Sequence, residues 1–256
     1  MTIQIRGKSI TLHGMKRLVG WAGKDLIRTS GILLNPTSRI HWDRKFAECA
    51  SFDDYFDFSQ NVFGLMQHRP EIAGLLNYIS SVEPRCVCEI GTYEGGTNFL
   101  ISQALPTVDL AIGLDLYVQH TALLRHYCHK DRELHYLNGS SYTPGTVASV
   151  EHILGSRKLD FLFIDGDHRY EGVKQDFLSY RHLVREGGII AFHDIVPDHK
   201  TRYGKYTGMW AGDVPVFWQR IKGGYRHREF VMDPDQDGLG IGALEYSDVV
   251  PLPEDL

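Results

Sequence analysis

The sequence predicts a mixed α/β chain: a mostly parallel, seven-stranded sheet with helices on both faces, closed by an antiparallel hairpin and preceded by a helical segment. Three observations lead there. From residue 84 on, short apolar runs alternate with stretches at helical spacing, the pattern of repeated strand-helix-strand units. Several of those runs end on acidic or glycine-rich turns, which gathers polar groups at one edge of the sheet, where open α/β sheets bind ligands. The last two runs are separated by Asp233-Pro234-Asp235-Gln236-Asp237, a turn that suits a hairpin.

At 256 residues, 43% hydrophobic and 23% charged, the chain can bury a full core. It divides into an N-terminal helical and basic segment, 1–83, and an α/β domain, 84–256. A net charge of −5 gives no sign of a nucleic-acid partner, but the sign is uneven. Residues 1–40 carry Arg6, Lys8, Lys16, Arg17, Lys24, Arg28 and Arg39 against Asp25, a balance of +6 that leaves −11 elsewhere. Cys49, Cys86, Cys88 and Cys128 form no CxxC pair and no metal-finger spacing, and the two in an apolar strand-like run, Cys86 and Cys88, are expected as buried thiols of a reducing compartment. Met1 to Thr11 lacks the unbroken apolar stretch of a secretory signal, and no run of about 18 apolar residues could span a membrane. The expected location is the cytoplasm.

Thr2 to Leu12 suits a short strand pair or an arm. Gly7-Lys8-Ser9 lacks the earlier glycine and the buried strand of a phosphate loop, and is set aside. Met15, Leu18, Val19, Ala22 and Leu26 fall at helical spacing, with Lys16, Arg17 and Lys24 elsewhere on the helix. Such a helix can lie on an anionic membrane, but packing is expected instead, on the main domain or on a second subunit in a homo-oligomer. Ser30 to Pro36 reads as a linker. Ser51-Phe52-Asp53-Asp54 starts a helix running to about Leu65, and Pro70 opens another through Tyr78.

The sheet begins with Cys86 to Ile90. Its turn, Glu89-Ile90-Gly91-Thr92-Tyr93-Glu94-Gly95-Gly96-Thr97, lets backbone approach a ligand faced by the amino end of a helix over Asn98 to Ala104. The strand Leu110 to Leu114 ends at Asp115, where a carboxylate can take both hydroxyls of a ribose. The loop glycines do not fit GxGxxG. Tyr93 stands at the second glycine position and would obstruct a pyrophosphate, so the expected ligand is a nucleoside without one. A helix over His120 to Lys130 and a strand over Leu134 to Leu137 follow. Asn138-Gly139-Ser140-Ser141 then either borders an adenine or is a plain turn.

After a helix over Thr146 to Leu154 comes the strand Leu159 to Ile164, apolar enough to be buried on both faces. Asp165, Asp167 and His168 crowd its carboxyl end around Gly166. Tyr170, Val173, Phe177, Tyr180 and Val184 mark a helix stopped by Gly187-Gly188. The next strand, Gly188 to Phe192, brings His193 and Asp194 to the same edge, because strand-helix-strand crossovers leave the two strands parallel. Val196 to Asp213, with His199, Tyr203, Tyr206 and Trp210, is too long for a mere connection and reads as a substrate lid. Val214 to Ile221 suits a helix, and Tyr225 to Met232 and Gly238 to Tyr246 suit the closing hairpin.

The alternating layout, the EIGxxxGG turn, Asp115 and the closing hairpin resemble the class I S-adenosylmethionine-dependent methyltransferases, a Rossmann-like fold, over roughly residues 84–246. Within them, IDGDHRYEGVKQD followed by GGIIAFHD resembles the branch of macrocin-type sugar O-methyltransferases and cephalosporin 7-methoxylation proteins. Catechol-type O-methyltransferases are a more distant likeness. The resemblance implies S-adenosylmethionine bound by Glu89, Gly91, Thr92, Tyr93, Gly95, Thr97, Asp115, Ser140, Ser141 and Asp165. It also implies a divalent cation, magnesium or manganese, on Asp165, His193 and Asp194. These families usually carry two oxygen ligands where this chain has His193-Asp194. Imidazole suits manganese, iron or zinc better than magnesium, so either the metal differs or His193 is a hydrogen-bonded neighbour and the aspartates alone bind.

The chemistry accounts for this set of residues. An aliphatic hydroxyl barely ionises near neutral pH, and methyl transfer to it needs a nucleophilic oxygen. A cation can lower the hydroxyl's pKa and a base can take its proton. His168 is the candidate base, its alternative being a solvated turn histidine. The expected activity is metal-dependent O-methyl transfer to a small hydroxylated acceptor, a sugar or glycosylated natural product. The rivals are a dehydrogenase, which the loop glycines disfavour, a donor-binding partner subunit of an oxygenase, and a catechol or phenol O-methyltransferase.

Overall fold

A computed structural model of the chain describes residues 2–5, 8–253 and 256. Gly7, part of the discarded phosphate-loop reading, lies outside them, as does the packing of Met15 and Leu18. β1 (Thr2–Ile5) and β2 (Lys8–Thr11) form an antiparallel pair, the first of the two readings left open for this stretch.

The helical segment departs from expectation between residues 30 and 36. Helix α1 (Leu12–Leu33) runs through most of the supposed linker, and α2 (Pro36–Glu48) starts after Leu34 and Asn35. Pro36 is not a break. It sits in the first helical turn, where a missing N–H costs nothing, and the Asn35 side chain caps the helix by accepting from the Ser38 N–H. α3 (Phe52–Phe63) begins with a capping box between Ser51 and Asp54 and ends at Gly64, φ +65°; α4 (Arg69–Ser80) follows.

The sheet elements are β3 (Cys86–Ile90), α5 (Gly96–Ala104), β4 (Leu110–Asp115), α6 (Thr121–His126), β5 (Glu133–Asn138), α7 (Pro144–Leu154) and β6 (Leu159–Ile164). Next come α8 (Tyr170–Tyr180), β7 (Val184–His193), α9 (His199–Tyr203), α10 (Val214–Ile221), β8 (His227–Phe230) and β9 (Ile241–Glu245). The strand order is β5-β4-β3-β6-β7-β9-β8, with β3 to β7 parallel and β9 antiparallel to both its neighbours. Chain order reverses direction between β3 and β6. In register, Ile90 pairs with both Leu114 and Ile164, and Ile164 with Phe192, so Gly91, Asp115, Asp165 and His193 all leave the sheet at one level.

Alternate strand residues supply two cores. Val87, Phe161, Phe163 and Ala191 face Phe58, Phe63, Ile72 and Phe99 of α3, α4 and α5. Cys88, Leu162, Ile190 and Phe192 face Phe177, Phe217 and Trp218 of α8 and α10. The helices α3 and α4 therefore cover one face of the sheet.

Two other expectations need correction. The helix expected to reach Lys130 ends at His126, because Tyr127 buries in the core and the His129 N–H turns to the Gln103 side chain at 3.2 Å. Gly187-Gly188 does not stop a helix. α8 ends at Tyr180, a 3-10 turn spans Arg181–Leu183, and Val184 already belongs to β7. The glycines serve a strand irregularity, where the register against β6 shifts between Leu159 and Phe161 and Gly187 adopts φ +71°. Among the described residues no helix is long and apolar enough to cross a membrane.

Candidate active site

The ends of β3 and β6 press together. Gly91 stands at φ +92°, and a Cβ there would lie 1.9 Å from the Asp165 carbonyl oxygen, so this position admits only glycine. The Gly91 and Thr92 N–H groups donate to the Leu114 carbonyl at 2.8 and 3.0 Å, which fixes the loop against β4. Asp115 is held on both oxygens, accepting from the Tyr93 N–H at 2.9 Å and the Tyr117 N–H at 3.0 Å. Burial nevertheless pushes its carboxyl above the ordinary range.

Two cavities of about 610 and 600 Å3 open at this edge. The first is bordered by Asp115, Leu116, Ser140, Ser141 and Trp21, the second by Gln67, His68, Thr97, His193 and Asp194. They share Gly91, Tyr93, Asp165, His168 and Trp210. Most of the residues expected at the cofactor thus converge, with Thr92 and Thr97 on the second cavity. Glu89 and Gly95 line neither. Glu89 lies beneath the loop at 2% exposure with Oε2 unpartnered, and burial, reinforced by the Asp165 charge, holds its carboxyl well above the usual range. Gly95, φ +89°, makes room for Leu124, whose Cδ1 would lie 2.5 Å from a Cβ; it serves packing.

On the second cavity, donor atoms of Asp165, His168 and Asp194 come within 4.8 Å of one another. His193 Nδ1 sits 3.3 Å from both Asp165 Oδ1 and Asp194 Oδ2. The other oxygen of each carboxylate is already engaged. Gln67 Nε2 donates to Asp165 Oδ2 at 3.1 Å, and the Leu239 N–H donates to Asp194 Oδ1 at 2.9 Å. Asp194 itself stands at φ +61°, a strained conformation for a non-glycine residue. The two remaining oxygens are thus aimed at one point among imidazoles.

His168 Nδ1 lies 2.9 Å from the Trp210 carbonyl, which can only accept, so Nδ1 carries the hydrogen and the neutral ring keeps its lone pair on Nε2. That nitrogen is 3.7 Å from Asp165 Oδ1. Burial opposes charge on His168, but Asp165 and Asp194 outweigh it and hold the imidazole up at about 9. The same balance raises His193, while Asp165, opposed by its own burial, is held below the carboxylate range by His193 and His168. Two carboxylates neutralised by two imidazoles, with His193 Nδ1 against both, fit a divalent cation that would displace those protons, while His193 Nε2 on the far edge of the ring is buried and unpartnered.

No sequence signal marks Gln67 or Trp21, and Trp210 is marked only as part of a lid. The loop carrying Trp210 is tied down: Asp198 accepts from the Ala211 N–H at 2.9 Å, and the Asp213 N–H donates to the His168 carbonyl at 2.7 Å. The Trp210 and His168 rings stack at 5.1 Å.

Residues 88–195 match a family model described as a methyltransferase domain. An uncharacterized protein of Acanthamoeba polyphaga mimivirus is 32% identical over 112 residues, 41% of this chain and 49% of the relative. The chain spans about half the length of that curated relative. Among solved structures, an O-methyltransferase from Bacillus cereus with S-adenosylhomocysteine bound superposes with a TM-score of 0.54 at 14% identity, covering 90% of this chain and 100% of that one. The O-methyltransferase TomG from Streptomyces achromogenes, involved in tomaymycin synthesis and solved with S-adenosylmethionine, gives 0.51 at 17% identity, covering 78% and 91%. At such identities the likeness establishes the fold. Residues 88–195 thus match a methyltransferase-domain model, and the sheet around them shares the fold of solved O-methyltransferases.

Proposed function

We propose that the chain is a metal-dependent O-methyltransferase that moves the methyl group of S-adenosylmethionine to a hydroxyl of a sugar or glycosylated natural product. The observation that carries this reading is the meeting of the two cavities at Asp165, His168 and Trp210, with Asp115 on one side and the carboxylate-imidazole cluster on the other. On the donor side, Asp115 is oriented by two N–H groups and can still accept from ribose hydroxyls, with Ser140 and Ser141 beside it. On the acceptor side, Asp165 Oδ1 and Asp194 Oδ2 would hold the cation, with His193 against both. Bound there, it would orient an acceptor hydroxyl and lower its pKa.

His168, its Nδ1–H tied to Trp210, presents Nε2 for the hydroxyl proton. Gln67 orients Asp165 by holding its second oxygen. Among the described residues no Lys or Arg lines the acceptor cavity, which favours a neutral acceptor over a phosphorylated one. The apolar walls of Met66, Met209 and Trp210 support a second reading, a phenolic acceptor. His168→Ala tests the assignment of the base: turnover should fall by about two to four orders of magnitude while bound metal and S-adenosylhomocysteine affinity stay put. Loss of the metal with the imidazole would move His168 into the ligand set.

A further inference from the structure

Helix α1 lies outside the residues that match the methyltransferase domain, yet it closes the donor-side cavity. Trp21 lines that cavity together with Asp115, Leu116, Ser140 and Tyr142. Its ring meets the Tyr93 ring edge-on at 6.3 Å and 77°. The helix is pinned in this position by two anchors. Asp25 accepts from the His120 N–H at 2.9 Å and from the Tyr117 hydroxyl at 3.1 Å, with His120 Nδ1 a further 3.0 Å contact. Arg28 pairs with Glu94 at 3.3 Å and donates to the Asn61 carbonyl at 2.9 Å.

Positions 21, 25 and 28 follow the spacing of one helix face. The anchors sit on the same loops that build the nucleoside site, since Glu94 follows Tyr93, while Tyr117 and His120 follow Asp115. His120 is buried and held at φ +56°, so its contact with Asp25 fixes the helix against a rigid partner.

We propose that Trp21 is a donor-contact residue, an aromatic wall against the adenosine half of S-adenosylmethionine, and that Asp25 is the positioning residue that keeps it there. This rests on the donor reading above. The segment 1–83 is then part of the binding site, and the methyl donor enters and leaves past α1.

The test is calorimetric titration of the full chain with S-adenosylhomocysteine, in wild type, Asp115→Ala, Trp21→Ala, Trp21→Phe and Asp25→Ala. Trp21→Ala should weaken binding about tenfold or more, in line with the usual worth of an aromatic surface against a base. Trp21→Phe should recover most of the loss, and Asp25→Ala should weaken binding although Trp21 is intact. A photoreactive 8-azidoadenosyl analogue supplies a readout that packing alone would not move. It should label the tryptic peptide Leu18–Lys24, and excess S-adenosylhomocysteine should remove the label. Wild-type affinity in Trp21→Ala, or labelling that spares that peptide, overturns the proposal. If wild type itself fails to bind, the donor reading falls and takes this proposal with it; loss in Asp115→Ala beside full affinity in Trp21→Ala overturns the α1 assignment alone.

Discussion

Adding one methyl group at Gly91 should dismantle the donor site. The residue stands at φ +92°, where an L side chain costs on the order of 1–2 kcal/mol. An alanine Cβ would meet the Asp165 carbonyl oxygen at 1.9 Å, its carbon at 2.4 Å and the Gly166 nitrogen at 2.8 Å. All three are backbone atoms, so no side-chain rotation relieves the overlap. Relief requires parting the ends of β3 and β6, where the Asp165 N–H donates to the Ile90 carbonyl at 2.8 Å. Overpacking of about 1–3 kcal/mol and a lost hydrogen bond of about 1 kcal/mol bring the expected loss for Gly91→Ala to about 3–6 kcal/mol. Urea titration of the far-UV circular dichroism signal reads this as a lower midpoint at constant slope, and calorimetry with S-adenosylhomocysteine should show the site gone. Gly23→Ala is the control: nothing lies within 4 Å of its added carbon, and in the interior of α1 it should gain about 0.5–1 kcal/mol. A Gly91→Ala protein with the wild-type midpoint and donor affinity would refute the loop geometry.

Asp115→Ala should abolish the thermal shift given by S-adenosylhomocysteine, which in wild type amounts to about 2.7 kcal/mol at a hundredfold excess over Kd; a surviving shift removes Asp115 from the ribose role. Asp194→Asn should reproduce the effect of a chelator, suppressing turnover while donor binding by calorimetry persists, because its carboxylate borders only the acceptor cavity. Asp176 is fully buried on α8, bonded on one oxygen to the Ser141 hydroxyl and unpartnered on the other, and burial pushes its carboxyl up to about 7. A raised folded pKa gives stability that is complete below the unfolded value near 4 and is lost as pH rises to about 7, on the order of 4 kcal/mol. Asp176→Asn should therefore gain on wild type in melting temperature across that window, and parallel pH profiles for the two proteins would count against a protonated buried carboxyl.

The strands were the most legible part of the chain. β3 and β6 are buried along nearly their whole length, so they read as mostly apolar runs with the observed bounds, broken only by Glu89 and Asp160, and the edge residues Asp115, Asp165, His193 and Asp194 followed from where β4, β6 and β7 stop. α2 was not legible: none of its residues is buried, so it carries no apolar stripe, and Pro36 looks the same in sequence whether it breaks a helix or begins one. Gly187 was misread for a related reason, since a left-handed glycine serves a strand irregularity as well as a helix end. Gly95 looked like a ligand-facing glycine and proved to accommodate Leu124. Trp21 and Gln67 reach the site through docking of distant segments, Gln67 meeting an aspartate 98 residues away, and no local periodicity records such a contact.

Metal-assisted transfer to a hydroxyl is tested most directly by incubating the isolated chain with methyl-labelled S-adenosylmethionine and a panel of hydroxylated sugars and phenols, with and without excess chelator. The expected result is label in the methyl ether of one acceptor class, suppressed by the chelator and restored by added manganese or magnesium, while S-adenosylhomocysteine still binds throughout. Undiminished transfer in excess chelator would contradict the role given to Asp165 and Asp194, and a chain that binds the donor but methylates no hydroxyl would contradict the activity itself.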